Sequence, residues 1–185
     1  MIEHLVFLLE EPSAADFLRG TQQHWLPLGV TAHFLVFEGK QDLEKQMVRR
    51  LQGWLRPNSR FLVLRDQDSG DCVQIKMRLA DLCSQAGKPE AIVRIACREL
   101  EAFFVGDWQA VSEAFDKPAL AAHDRKAKYR NPDSLGSPSR ELSKAIPTYQ
   151  KGDGARRIAP LLIPQRNRST SFLALYRSLI QLAES

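Results

Sequence analysis

Apolar and polar positions follow two alternating periods along the first hundred residues of the chain. Four short and nearly continuous apolar runs are typical of strands buried on both faces, and they fall at residues 4–9, 30–37, 60–65 and 91–97. The stretches between them have apolar residues at helical spacing, as in residues 41–55. Strands that alternate with helices of this length indicate parallel strands joined by right-handed crossovers. We therefore predict an α/β domain with a mostly parallel sheet of about four strands flanked by helices.

The pattern changes after residue 105, where basic and turn-forming residues replace the apolar runs. Residues 124–140 (DRKAKYRNPDSLGSPSR) are rich in both, and short helical stretches surround them. We predict a core at residues 1–110 and a basic helical extension at residues 111–185. The extension is expected to pack on the core, so that both form one structural domain.

The composition is that of a globular protein. The chain has 185 residues, of which 44% are hydrophobic and 26% are charged, as in ordinary soluble folds. No apolar run approaches the roughly 20 residues that a membrane span needs. Residues 4–9 lack the basic leader and the small-residue cleavage site of a signal peptide. We expect a cytoplasmic protein that has no membrane partner.

The cysteines and histidines do not predict a metal site or a disulfide framework. The three cysteines include no CxxC pair, which argues against a disulfide scaffold or a zinc site. The histidines are scattered along the chain and form no HxxxH or HExxH spacing. We expect a structural role for each of them, namely His4, His24, His33 and His123.

The net charge of +4 conceals an uneven distribution of charge. Residues 1–123 carry 14 basic and 17 acidic residues, whereas residues 124–185 carry 12 basic and 5 acidic residues. Such an asymmetry favours an anionic partner for the last third of the chain. A solvated basic surface without a partner explains the charge equally well, so charge alone leaves both interpretations open.

Acidic residues follow three of the four predicted strands. In an open parallel sheet, ligands bind beyond the carboxyl ends of the strands, so these side chains are expected to converge on one crevice. Carboxylates in one crevice repel one another unless a cation lies among them, and oxygen ligands without Cys or His favour Mg²⁺ or Mn²⁺. The acids are Glu10 and Glu11 after the first strand, Asp66 and Asp68 after the third, and Glu99 and Glu101 after the fourth.

The Asp-x-Asp stretch also has a purely structural explanation. Acids directly after a strand often form a solvated turn or cap the next helix, and Asp71 is expected to be such a cap. The metal site is favoured because Asp66 and Asp68 occur together with a glutamate at the first strand end and an acidic pair after the fourth. A cation held there can clamp a phosphate and activate water for phosphodiester cleavage.

A glutamate after the first strand and an Asp-x-Asp after a later one, in an alternating α/β chain, resemble the Toprim domain. That domain occurs in topoisomerases, primases and nucleases of the overcoming-lysogenization-defect (OLD) class. The chain is more closely similar to the bacterial domain-of-unknown-function family 4276. The similarity implies a Toprim/Rossmann-like fold with a basic helical C-terminal extension. It rests on the stretches FLLEEPSAADFL, VFEGKQDLEKQMVRRL, FLVLRDQDSGDC, RIACRELEAFFVGD, KAKYRNPDSLG and YQKGDGARRIAPLL, which span nearly the whole chain.

The resemblance implies roles for individual residues. Glu10 matches the Toprim glutamate, which binds metal or acts as a general acid or base, and Asp66 and Asp68 match the Asp-x-Asp metal ligands. Glu99 and Glu101 match the acidic pair of the RELEAF-type motif. Of these two, Glu101 is favoured, because two residues along a strand-to-helix junction can return to the same face. The implied catalytic residues are Glu10, Asp66 and Asp68. The implied ligands of Mg²⁺ or Mn²⁺ are these three together with Glu99 and Glu101.

The chain departs from the Toprim pattern after the first strand. Toprim proteins usually have Gly directly after the first glutamate, where this chain has Glu11 and then Pro12. OLD-class nucleases typically have another acidic residue four positions on, where this chain has Ala14. These departures favour an alternative in which the domain is catalytically degenerate and binds an ATPase partner or nucleic acid.

The basic third of the chain offers candidate contacts to nucleic acid. Lysines and arginines along a phosphate backbone release counterions, which makes binding strongly dependent on salt. Tyr129 and Tyr149 lie among them and can stack on bases, although a half-buried core position is the commoner role of such tyrosines. Arg65 and Arg98, each beside a motif acid, are expected to hold the acidic crevice in shape. The residues that we expect to contact DNA or RNA are Lys126, Lys128, Arg130, Arg156, Arg157 and Arg168.

These observations favour a Mg²⁺-dependent Toprim-type nuclease that cleaves phosphodiester bonds. Family members that resemble this chain are often encoded beside ABC- or AAA-type ATPases in bacterial anti-phage defence loci, which implies an ATPase partner and an effector role. The degenerate binding module is the alternative. A phosphotransferase of the haloacid-dehalogenase kind also uses Asp-x-Asp, but on the first strand and with Thr or Val two positions after the second Asp, where this chain has Gly70.

Overall fold

Each of the four apolar runs forms one strand of a parallel sheet in the computed structural model of the chain, which describes residues 2–26 and 28–184. The strands begin and end within one residue of the predicted runs. They are β1 (His4–Leu9), β2 (Thr31–Val36), β3 (Ser59–Asp66) and β4 (Ile92–Ala96). Their order across the sheet is β2-β1-β3-β4, and all neighbours are parallel. The predicted fold class, a four-strand parallel sheet flanked by helices, is therefore confirmed.

Crossover helices cover both faces of the sheet, as parallel strands require. The helix α1 (Pro12–Trp25) lies on one face, and α2 (Lys40–Gln52) and α3 (Cys72–Gln85) lie on the other. The chain adds β2 on one side of β1 and then β3 on the other. The topological switch point therefore lies between the carboxyl ends of β1 and β3, where open α/β sheets bind their ligands.

The chain after β4 is helical and packs on the same face of the sheet as α1. Its α-helices are α4 (Ala102–Val105), α5 (Trp108–Ala114), α6 (Pro138–Ala145), α7 (Lys151–Ile158) and α8 (Thr170–Glu184). Turns of 3₁₀ helix occur at Pro118–Arg125, Ala127–Tyr129, Pro132–Ser134 and Ala159–Leu161. One apolar core joins Phe17 of α1 to Leu142 of α6 and Phe172 of α8. The predicted boundary at residue 110 falls inside α5, and the core continues across it.

A second core fills the face that α2 and α3 cover. Leu43, Met47 and Leu51 recur at helical spacing along α2, and all three are fully buried in the same cluster as Val63 of β3. Burial of one such side chain contributes about 1.5–3 kcal/mol relative to its exposure. The two cores together hold the sheet between two helical layers, which leaves its carboxyl edge as the place where strand ends meet loops.

The start of α3 shows which acid of the third strand's loop is structural. Asp71 precedes α3, and its carboxylate accepts a hydrogen bond from the N–H of Gln74 at 2.8 Å. This contact satisfies one of the free N–H groups at the helix start. The cap predicted at Asp71 is thus confirmed, and the remaining acids of this loop are Asp66 and Asp68.

Candidate active site

The carboxyl ends of β1 and β3 bring two of the predicted site residues together. Glu10 directly follows β1, and Asp66 is the last residue of β3. Oε2 of Glu10 accepts a hydrogen bond from the backbone N–H of Asp66 at 3.1 Å. The contact joins the two strand ends at the topological switch point, where β1 pairs directly with β3.

Asp66 is a buried carboxylate, with 9% of the residue exposed. Burial raises the pKa of Asp66 well above its usual value, because the charged form loses its hydration. The negative charges of Glu11 and Glu101 raise this pKa further, and the ammonium group of Lys151 opposes them. A cation beside Asp66 would stabilise the charged carboxylate in this crevice.

Glu101 is the second buried acid of the crevice and is 1% exposed. Burial raises the pKa of Glu101 to about 7, although the charge of Lys151 partly offsets the effect. Its Oε1 accepts a hydrogen bond from the Tyr149 hydroxyl at 3.3 Å. Its buried Oε2 has no hydrogen-bond partner among the described residues. A buried oxygen without a partner costs free energy, so this atom would bind a metal ion or a donor group favourably.

Asp68 lies at the rim of the crevice and pairs with a lysine. Its Oδ2 is 2.7 Å from Nζ of Lys40 at the start of α2. The N–H of Asp68 donates to the Arg98 carbonyl at 2.9 Å, and Nη1 of Arg98 donates to the Asp68 carbonyl at 3.3 Å. Both residues have left-handed backbone angles, with φ of 54° for Asp68 and 64° for Arg98. Non-glycine residues keep this conformation where contacts enforce it, so the paired loops hold Asp68 in position.

Lys151 brings a positive charge from the basic third of the chain into the crevice. It is the first residue of α7, and its Nζ is 3.3 Å from Oε2 of Glu11. Burial alone would lower its pKa, but the neighbouring carboxylates of Glu101, Glu11 and Asp66 raise the pKa of Lys151 above its ordinary value. The lysine is therefore a firmly protonated counter-charge for the acids.

Sequence reasoning considered Tyr149 only as a base-stacking or half-buried residue and missed Lys151, whereas the structure brings both to the crevice. A Cβ on Gly154 would lie 2.2 Å from Cε2 of Tyr149, so this glycine allows the tyrosine ring to pack against α7. The available signal was the glycine-rich spacing of residues 149–154, inside one of the stretches that carry the family resemblance. Nothing in that spacing indicated Glu101 as the partner, because the contact depends on how α7 docks.

Glu99, the other acid of the pair after β4, supports the fold. Its Oε2 accepts a hydrogen bond from the N–H of Ser139 at 2.7 Å, and its Oε1 accepts one from the Ser137 hydroxyl at 3.2 Å. These contacts satisfy polar groups at the start of α6. Glu99 and Glu101 were both predicted as metal ligands. Since both oxygens of Glu99 are engaged, the geometry favours Glu101 of the two.

Arg65 contacts Glu10 from the face of the sheet that α2 covers. It is 7% exposed, and its Nη1 is 2.6 Å from Oε1 of Glu44 on α2. Its Nε lies 3.8 Å from Oε2 of Glu10, and Arg78 binds the other oxygen of Glu44 at 2.7 Å. A buried guanidinium held between two carboxylates restricts the orientation of Glu10. This is the supporting role that the sequence suggested for Arg65.

The acids at the carboxyl ends of the strands have the donor type that a hard divalent cation prefers. The acid cluster comprises Glu10, Asp66, Asp68 and Glu101. All of its donors are carboxylate oxygens, which suit Mg²⁺ and Mn²⁺, and the unpaired Oε2 of Glu101 is available. In the described part of the chain, no three His, Cys, Asp or Glu side chains are already arranged to hold a metal ion. Ammonium groups of Lys40 and Lys151 lie among the acids instead, so a cation would exchange with them.

The first group of predicted nucleic-acid contacts lies in the 3₁₀ turns before α6. Lys126 and Arg130 are exposed, and Nζ of Lys128 pairs with Oε2 of Glu141 at 2.5 Å. Tyr129 is 6% exposed, and its hydroxyl donates to Glu141 at 3.0 Å. Tyr129 therefore has the core position considered the commoner role, and two of these three basic residues present open charge to solvent.

The second group of predicted nucleic-acid contacts lies on α7 and before α8, and its members have partners within the chain. Arg156 pairs with Asp16 of α1 at 2.9 Å, and the guanidinium of Arg157 lies over the Phe115 ring at 4.2 Å. Arg168 donates a hydrogen bond to a backbone carbonyl of the first 3₁₀ turn. These contacts help to dock the extension, so any phosphate contact by these arginines would compete with them.

Comparison with known proteins identifies a family. Residues 9–180 match the family model described as "Domain of unknown function (DUF4276)". No curated protein and no solved structure matches the chain significantly. The matched range includes the whole acid cluster together with Tyr149 and Lys151.

Proposed function

Because the chain belongs to the DUF4276 family and carries an acid cluster at its strand ends, we propose that it is a Mg²⁺- or Mn²⁺-dependent nuclease of the Toprim type. The observation that carries the proposal is the contact of Glu10 with Asp66 at the switch point, with the charge of buried Glu101 acting on Asp66. Mutually repelling acids cost free energy, and such perturbed groups are typical of functional sites. The proposed reaction is hydrolysis of a phosphodiester bond in DNA or RNA.

Different residues of the chain would bind the cation and exchange the proton. When bound, the cation neutralises phosphate charge and lowers the pKa of a bound water. Asp66, Asp68 and Glu101 would bind it in their deprotonated forms, so binding would release protons where burial has raised a pKa. Glu10, which contacts the Asp66 backbone, would exchange a proton with the attacking water or the leaving oxygen.

The lysines of the crevice would hold the substrate phosphate. Lys40 and Lys151 balance carboxylates while no cation is bound. Once a divalent cation takes over that role, both ammonium groups can turn to phosphate oxygens without leaving the site. Metal binding would therefore favour substrate binding. The cation would balance the carboxylates, which frees the two ammonium groups to balance the phosphate charge.

A cleavage assay tests the nuclease. Plasmid DNA and tRNA are incubated with Mg²⁺ or Mn²⁺ and with the wild type, Asp66→Asn or Glu10→Gln. We expect either substitution to reduce cleavage by about 10²-fold or more. The control is Asp81→Asn, which removes an exposed carboxylate of α3 and should leave cleavage unchanged. Equal cleavage by the wild type and both site variants would remove the assignment.

A catalytically degenerate module is the second candidate function. The pairing of Lys40 with Asp68 and of Lys151 with Glu11 favours it, because the lysines already balance part of the acidic charge. Such a module would bind its ATPase partner or nucleic acid without metal. Calorimetry that detects no Mn²⁺ binding, with nucleic-acid binding unchanged after substitution of the whole acid cluster, would favour the module over the nuclease.

An ATPase is the protein partner that we propose for either function. The support is the resemblance to family members encoded beside ABC- or AAA-type ATPases in anti-phage defence loci. Cytoplasmic action as a defence effector follows from that proposal, and no helix in residues 2–26 and 28–184 is long and apolar enough to cross a membrane. Co-expression with an adjacently encoded ATPase tests it: a stable complex whose cleavage responds to ATP is expected, and two proteins that never associate would contradict it.

A further inference from the structure

Two histidines meet at the amino end of the sheet, the end opposite to the acid cluster. His4 is the first residue of β1, and His33 lies on β2. The strand register pairs His4 with Thr31 and Val6 with His33, so both imidazoles project from the same face of neighbouring strands. Nδ1 of His4 and Nε2 of His33 are 3.2 Å apart. Both side chains are partly exposed.

We propose that His4 and His33 form a binding site for a divalent transition metal of the Zn²⁺, Co²⁺ or Ni²⁺ type, with water in the remaining positions. Metal–imidazole bonds are about 2.0–2.1 Å long. With nitrogens 3.2 Å apart, such bonds meet at an angle of about 100° at the metal. That angle lies between octahedral and tetrahedral values, and imidazole is a preferred ligand for these metals.

Packing against Trp54 restricts the orientation of the His33 ring. Its ring packs edge-on against Trp54, with centroids 4.9 Å apart, and the Trp54 indole N–H donates to the Ser59 hydroxyl at 2.8 Å. A ligand ring held by its neighbours loses little freedom when metal binds.

Two charged side chains lie near the histidine pair, whose neutral imidazoles share a hydrogen bond while no metal is bound. The guanidinium of Arg56 lies over the Trp54 ring at 5.8 Å, and its charge disfavours a cation nearby. The carboxylate of Glu3, next to His4 in the chain, lies at the same end of the sheet and bonds Asn58 at 3.1 Å, which adds a compensating negative charge.

A metal shared by β1 and β2 would bind the folded chain and not the unfolded one, because His4 and His33 are far apart in sequence. Binding would therefore raise the melting temperature, and the rise would grow with the logarithm of the metal concentration above the dissociation constant. The site is independent of the proposed nuclease, since imidazole pairs do not suit Mg²⁺. Loss of one activity would leave the other intact.

Ni²⁺ titration of the full chain, without an affinity tag, tests the site. We expect one bound Ni²⁺ whose paramagnetism broadens the NMR ring signals of His4 and His33. His33→Ala and His4→Ala should each weaken binding at least tenfold and abolish the rise in melting temperature. His24→Ala, which removes an exposed histidine of α1, is the matched control and should change neither quantity.

The opposite result is equally clear. Broadening at His24 or His123 instead, or unchanged Ni²⁺ affinity in both His33→Ala and His4→Ala, would overturn the proposal. Having both variants guards against loss of folding at His33, because it is the His33 ring that packs against Trp54.

Discussion

At the scale of single residues, burial and local hydrogen bonds separate acids that lie close together in sequence. Asp66 and Glu101 are buried, and burial raises the pKa of each. Asp71 and Glu99 instead satisfy polar groups at helix starts. A carboxylate that caps a helix gains partners from the fold, whereas a buried acid without enough partners carries a free-energy cost that a bound cation can relieve.

The pH dependence of stability tests the protonation state of Glu101 in the folded chain. Its folded pKa of about 7 lies above the ordinary value of 4.5, so the folded state holds the proton more tightly than the unfolded state. This contribution is fully present below pH 4.5 and is lost as the pH rises towards 7. We expect the metal-free wild type to lose about 3 kcal/mol of unfolding free energy through this group over that range.

The measurement is urea unfolding at several pH values in the presence of a chelator. Glu101→Gln should lose much less stability than the wild type between pH 4.5 and pH 7.5, and the part that remains is assigned to Asp66, Glu10 and Asp124, whose pKa values burial also raises. Glu113→Gln removes an exposed acid of α5 and serves as the control. The same slope in Glu101→Gln and the wild type would contradict the raised pKa.

Substitution of Glu99 and Glu101 in parallel separates support of the fold from metal binding. Glu99→Ala removes the acceptor for Ser137 and Ser139 and should cost about 1–2 kcal/mol of unfolding free energy. It should leave Mn²⁺ affinity nearly unchanged. Glu101→Ala should weaken Mn²⁺ binding at least tenfold. Calorimetry and urea unfolding of both variants check this, and a reversed pattern would exchange the two roles.

At the scale of elements, α7 connects the basic third of the chain to the acidic crevice. Its first residue, Lys151, pairs with Glu11, and Arg156 one turn and a half later pairs with Asp16 of α1. The turn before it carries Tyr149, whose hydroxyl reaches Glu101. A helix containing Gly152 and Gly154 is weak by propensity alone, so its packing against α1 decides that this segment is helical.

Gly154→Ala tests the packing that holds Tyr149. The new Cβ would lie 2.2 Å from the Tyr149 ring, so we expect a loss of about 1–3 kcal/mol of unfolding free energy from overpacking. Without that clash, alanine would stabilise a helix by about 0.5–1 kcal/mol. The matched control is Gly136→Ala, where nothing lies within 4 Å of the new atom. A stabilised Gly154→Ala variant, measured by urea unfolding, would contradict the contact.

At the scale of the whole molecule, the basic residues of the last third of the chain lie in different environments. Lys151 carries positive charge into the crevice, whereas Arg156 and Arg157 contact α1 and α5 and help to dock the extension. Lys126 and Arg130 remain exposed, whereas Lys128 and Arg156 pair with carboxylates. Long-range attraction of nucleic acid would therefore depend most on Lys126 and Arg130.

The salt dependence of nucleic-acid binding tests whether Lys126 and Arg130 contact the phosphate backbone. Each phosphate contact contributes about 0.9 to the slope of log K against log salt for duplex DNA. We expect Lys126→Ala with Arg130→Ala to reduce the slope by about 2. Lys45→Ala with Arg50→Ala removes two exposed charges of α2 and should change it little. Fluorescence anisotropy at several salt concentrations measures both, and equal slopes in the two double variants would contradict the assignment.

The sequence predicts the sheet better than it predicts the contacts at the sheet's edge. Continuous apolar runs specify β1 to β4 because strands buried on both faces need apolar side chains throughout. The convergence of Glu10 with Asp66 follows from parallel strands alone. The roles of Glu99 and Tyr149 do not, because each depends on a partner about forty or more residues away that only tertiary packing supplies. The meeting of His4 with His33, which are only 29 residues apart, was missed because it depends on the register between β1 and β2.

The most direct test of the central claim is Mn²⁺ soaked into crystals of the chain and located by its anomalous scattering. The proposal predicts a peak about 2 Å from carboxylate oxygens of Asp66, Asp68 and Glu101, with Lys40 moved away from Asp68. A crevice without a peak, with Lys40 still paired to Asp68 and Lys151 still paired to Glu11, would contradict the metal site and favour the binding module.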